Sequence, residues 1–82
     1  MIDETRLKRL LYRSWHRGCK ETDIVLGNFA ERHLHELDGE MLAVYEALLD
    51  ENDIDIWNWL TGQAACEPRY DGLLKRLQEQ RP

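Results

Sequence analysis

The chain has 82 residues, 33% of them charged and 43% hydrophobic, with a formal net charge of −5. That composition belongs to one small folded domain, here residues 1–82, and excludes both a disordered polymer and a large enzyme with its own cofactor crevice. The charge is graded along the chain: residues 1–20 carry net +4, residues 21–67 carry −11 and residues 68–82 carry +2.

Apolar residues recur at helical spacing from end to end. Leu7, Leu10, Leu11 and Trp15 form the stripe of a first helix. Asp3 is placed to cap it, with Ile2 and Leu7 as a hydrophobic staple. Arg6, Arg9, Arg13 and Arg17 are expected on its opposite, solvated face, with His16 nearby. Gly18 then stands where a helix stop uses a left-handed residue.

A second helix is expected from about Lys20 to Glu36, with Leu26, Phe29, Ala30, His33, Leu34 and Leu37 inward. Asp38 caps a third, whose stripe is Met41, Leu42, Tyr45, Leu48 and Leu49. The acidic cluster 50–53 ends it and starts a fourth, where Asp53 and Asp55 suit the positive end of the dipole. Ile56, Trp57 and Leu60 point inward there, and Gly62 closes the helix. After a loop, Pro68 fits the first turn of a last helix with Leu73, Leu74 and Leu77 as its stripe, and Arg76 and Arg81 near its end. No segment reads as a strand. The expected fold is an all-α bundle of about five short helices.

Few residues suggest chemistry. His33 and His35 point to different sides of a helix, and no Cys-x-x-Cys or His-Glu-x-x-His spacing exists, so no metal site is expected. Cys19 sits among Arg17, Lys20 and His16, which would favour a thiolate, but no third group orients a base. Cys19 and Cys66 are expected as free thiols, and no catalytic residue is assigned. A phosphate loop is absent. The arginine row of helix 1 could track a nucleic-acid backbone, but the acidic middle opposes a polyanion. No apolar run reaches the roughly 18 residues of a membrane span, and the start of the chain shows no targeting pattern. A bacterial cytoplasmic protein is therefore expected. What remains is the corner Arg17-Gly18-Cys19-Lys20-Glu21, where opposite charges meet at a turn. Alone, such a pair reads as a surface salt bridge bracing the turn, worth about 0–1 kcal/mol.

That corner carries a resemblance. Arg17-Gly18-x-x-Glu21, the basic segment from Arg6 to Asp23 and the segment Asp50 to Gly62 (D-E-N-D-I-D-I-W-N-W-L-T-G) together resemble the SdhE family, also called succinate dehydrogenase assembly factor 2 or FAD assembly factors. The resemblance covers nearly the whole chain. It implies a small five-helix chaperone that is not itself an enzyme and binds no cofactor stably. Its partner would be the flavoprotein subunit of succinate dehydrogenase, and of fumarate reductase in bacteria, in which it promotes covalent FAD attachment. The RGxxE motif carries over as Arg17, Gly18 and Glu21. Arg13, His16 and Val25 are the neighbouring candidates for partner contact, and Ile24 is a further outward aliphatic. No nucleic acid, no membrane insertion and a monomeric state are expected. The alternative is an antitoxin-like or nucleic-acid-binding regulator using the basic face of helix 1. Cys19 stands where the family commonly has methionine, and Thr22 where it has a bulky aliphatic.

Overall fold

A computed structural model describes residues 4–79. Five α-helices follow one another: α1 (Glu4–Trp15), α2 (Lys20–His33), α3 (Gly39–Leu49), α4 (Asp53–Leu60) and α5 (Asp71–Glu79). Among the described residues there is no strand. The proposed cap Asp3, the staple residue Ile2 and Arg81 lie outside the described residues.

The helix boundaries follow local chemistry. Asp38 caps α3, its carboxylate accepting from the Met41 N–H at 2.7 Å. Asn52 caps α4 by accepting from the Ile54 N–H at 2.8 Å, which leaves Asp53 and Asp55 in the first turn. Gly18 and Gly62 carry the positive φ values, +100° and +78°, at the two expected corners. Two boundaries differ from the sequence reading. The α-helical part of the second helix stops at His33, and Leu34–Glu36 continue as a 3-10 turn. Pro68 opens a separate 3-10 turn, Pro68–Tyr70, so α5 begins only at Asp71.

The core is a single cluster drawn from all five helices and both turns. Leu10, Leu26, Phe29, Leu42, Tyr45, Leu48, Ile56, Tyr70, Leu73 and Leu77 are essentially inaccessible. Two polar residues are buried with them, and both are satisfied. Ser14 Oγ donates to the Leu10 carbonyl at 2.8 Å and lies 2.5 Å from the Tyr45 hydroxyl, which also reaches the Leu26 carbonyl at 3.3 Å. Burial, more than any partner, raises the Tyr45 pKa far above the usual phenol. His33 is not the core residue its spacing suggested. It sits half-exposed at the end of α2, 2.7 Å from Glu36. Trp57 is likewise only half-buried.

Trp15 and Gly27 lock α1 onto α2. A Cβ at Gly27 would lie 2.2–2.5 Å from the Trp15 indole carbons, so only glycine leaves room for the ring. The indole N–H then donates to Glu31 at 3.1 Å. This contact fixes how α1 leaves the Gly18 corner.

Candidate functional site

The basic row of α1 is not a solvated face. Arg6 pairs with Glu46 at 3.0 Å, Arg13 with Asp50 at 2.6 Å and Arg17 with Asp53 at 2.7 Å. The spacing explains the zip. Positions 6 and 13 share one side of α1, position 17 follows just beyond its end, and positions 46, 50 and 53 run from α3 through its C-cap into α4. Arg9 and Lys8 remain exposed. Three of the six basic side chains in residues 1–20 are thus neutralised within the molecule.

Arg17 is the most deeply set of these cations, with its side chain 11% exposed. It does not project from the corner, and its partner is not Glu21. Its Nε donates to Asp53 Oδ1, its Nη1 to the Leu49 carbonyl and its Nη2 to the Glu51 carbonyl, the last at 2.5 Å. Leu49 ends α3 and Glu51 lies in the α3–α4 turn, so the guanidinium satisfies carbonyls left open at a helix C-terminus. Lysine could not fill this place, because three acceptors in a fork need a planar guanidinium. The backbone N–H of Arg17 also donates to Asp23 at 2.8 Å, tying the corner to the first turn of α2.

Thr22 completes the joint. It is fully buried, and its hydroxyl lies 3.1 Å from the Cys19 carbonyl and 3.4 Å from Asp53 Oδ1. A hydroxyl at this position therefore joins the start of α2 to the start of α4, which an aliphatic residue could not do.

Above this buried joint lies an exposed surface. Gly18 is exposed with open space around its Cα, and its φ of +100° makes any side chain there strained. Glu21 is exposed. Its pKa is lowered, first by a backbone hydrogen bond, then by the Cys19 thiol 3.3 Å away and the nearby Lys20 charge. It is therefore a standing negative charge at neutral pH. His16 is exposed and stacks on Tyr12 with ring centroids 4.2 Å apart. Val25 is half-buried and packs against the core, so it offers only its edge.

Of the six candidate residues, then, Gly18, Glu21 and His16 lie at an accessible corner. Arg17 supports it from beneath, and Arg13 is turned to Asp50. Sequence reasoning missed Gly27 and the Arg17–Asp53 joint. A lone glycine inside a helical pattern was the available signal for the first. For the second there was none, because the partners are 36 positions apart.

The described residues hold no cluster of three or more metal-ligating side chains and no helix long and apolar enough to cross a membrane. The fold is a small all-α bundle whose corner at Gly18 and Glu21 is open to solvent. Comparison with known proteins identifies its family. The sequence pattern of the Sdh5 family, described as "Flavinator of succinate dehydrogenase", matches residues 8–81, and the chain belongs to that family. The succinate dehydrogenase assembly factor 2, mitochondrial, of Candida glabrata is 41% identical over 95% of this chain and 54% of its own length. The corresponding protein of Kluyveromyces lactis is 42% identical over 95% of this chain and 50% of its own length. Succinate dehydrogenase assembly factor 2-B, mitochondrial, of Drosophila melanogaster is 40% identical over 90% and 49%. The chain spans about half the length of the curated relatives it matches.

These relatives are named as assembly factors, in line with the expectation of a non-enzyme. They overturn the expectation of a bacterial cytoplasmic protein, since they are mitochondrial proteins of yeasts and a fly. That expectation had leaned on the start of the chain, which says nothing about sequence beyond the matched region. The nucleic-acid alternative finds no support either, because three of its four arginines already hold carboxylates.

Proposed function

We propose that this chain binds the flavoprotein subunit of succinate dehydrogenase and promotes covalent attachment of FAD to it. The same service to fumarate reductase is the natural extension. The observation that carries the reading is membership of a family described as flavinators, joined to an exposed corner at Gly18 and Glu21 held rigid from below. The flavin chemistry takes place in the partner. This chain contributes no nucleophile or general base, binds no FAD stably and acts as a monomer.

The physics suits a reversible chaperone. Glu21 offers a carboxylate to a partner cation, and Gly18 lets a partner backbone approach closely. A contact of modest size with a charged rim gives specificity without permanent attachment. Arg17 takes part by holding the corner in shape. The test is genetic. Deleting the gene in its host should abolish or strongly reduce covalent flavin in the succinate dehydrogenase flavoprotein. Unchanged flavinylation, in a host without a substitute factor, would refute the reading.

A further inference from the structure

Gly18 is the pivot of the corner. A glycine takes positive and negative φ about equally well, so its surroundings have to select the +100° found there. The usual device for fixing the start of a helix is missing at this point. α3 and α4 each carry a capping side chain, Asp38 and Asn52, whereas Cys19, in the capping position of α2, makes no side-chain cap bond.

Asp23, in the first turn of α2, supplies what the cap does not. Its carboxylate Oδ1 accepts from the Arg17 N–H at 2.8 Å, and its own N–H donates to the Cys19 carbonyl at 2.9 Å. One residue thus holds both chain neighbours of Gly18. The bond to Arg17 spans the whole motif, since its donor precedes Gly18 and its acceptor follows Glu21. It is half-buried, and an ionised acceptor makes it stronger than a bond between neutral groups. Asp53 grips the same arginine by its guanidinium, at 2.7 Å. The two grips fix different things. Asp53 ties the corner to the α3–α4 turn, whereas Asp23 sets how Gly18 stands against the helix that carries Glu21.

We propose that Asp23 is a positioning residue for partner binding, holding Gly18 and Glu21 in the relative geometry that the flavoprotein subunit meets. The assignment rests on the function proposed above and deepens it. Glu21 offers the charge, and Asp23 fixes where that charge stands. A corner free to flex about Gly18 would have to be ordered on binding, and that cost appears as lost affinity.

The test is calorimetric titration of the purified flavoprotein subunit with wild type, Asp23→Ala, Asp23→Asn, Asp38→Ala and Glu21→Ala, well below their melting midpoints, which are recorded alongside. Asp38→Ala is the matched control, because it removes a carboxylate-to-backbone bond of 2.7 Å at another helix start. Asp23→Ala should weaken binding about tenfold or more, and Asp23→Asn, which keeps an oxygen acceptor, should stay within about threefold of wild type. Asp38→Ala should lower the melting midpoint about as much as Asp23→Ala and leave the affinity unchanged. The inference falls if Asp23→Ala binds like wild type, if Asp23→Asn is as weak as Asp23→Ala, or if Asp38→Ala loses as much affinity. Hydrogen exchange on the wild-type chain tests the bond without any variant: the Arg17 amide should exchange at least about tenfold more slowly than an unprotected amide, and exchange at the unprotected rate would overturn the assignment. If the inference falls while Glu21→Ala still weakens binding, the functional reading stands. If the wild-type chain fails to bind the subunit, both fall.

Discussion

Replacing Arg17 with alanine isolates the joint beneath the corner. The substitution removes three donors at once, one to a carboxylate and two to backbone carbonyls. Asp53, with its side chain 24% exposed, keeps the Thr22 hydroxyl at 3.4 Å and the N-terminal dipole of α4 but loses its cation. Breaking a well-buried pair by truncating one partner costs about 3–5 kcal/mol. Partial exposure places this case at the low end, about 3 kcal/mol. A domain of this length has a total stability of about 4–12 kcal/mol, so the loss is a large fraction of it. At about 4–8 °C per kcal/mol for small domains, the melting midpoint should fall by about 12–24 °C. Arg17→Lys should recover part of the loss, keeping the charge near Asp53 but not both carbonyl bonds. Glu21→Ala is the control and should move the midpoint little, because Glu21 is exposed. Thermal denaturation followed by circular dichroism reads all three. A fall of less than a few degrees for Arg17→Ala would show that the joint does not hold the corner.

Other substitutions probe the packing and the corner separately. Gly27→Ala gains about 1 kcal/mol of helix propensity but drives a methyl into the Trp15 ring. Overpacking at about 1–3 kcal/mol should win, so denaturant titration should show net destabilisation, and a more stable variant would contradict the contact. Gly18→Ala meets open space but a φ of +100°, so it should lower stability by about 1–2 kcal/mol. Gly18→Arg carries this same backbone cost on top of any change in binding, and Gly18→Ala measures it. Tyr70 donates to Glu51 at 2.8 Å, and burial, aided by that carboxylate, pushes its pKa up to about 12 from 10.0. A raised folded-state pKa gives stability that is complete below pH 10 and lost as pH rises toward 12. The melting midpoint should fall across that window, and Tyr70→Phe should flatten part of the fall. An unchanged slope would contradict the assignment.

The helices were legible because each buries a stripe that its own periodicity announces. Leu42, Tyr45, Leu48 and Leu49 are the plain case, and Asp38 marks the start of their helix. Local polar chemistry was less legible. His33 lies in register with the inward face, but α2 tightens into a 3-10 turn just beyond it, and the ring ends at the edge beside Glu36. The corner was found through its motif, yet the role of Arg17 was misread. Short-range reasoning paired it with Glu21, four residues away, whereas the fold supplies Asp53 and two open carbonyls.

The central claim concerns flavin in a partner, and reconstitution tests it most directly. Purified flavoprotein subunit lacking flavin is incubated with FAD, with and without this chain, then denatured and separated on a gel. In-gel fluorescence reports flavin that has become covalently attached. Addition of the chain should raise that signal well above the level reached with FAD alone, and Glu21→Ala should reduce the gain. Equal covalent flavin with and without the chain would contradict the account.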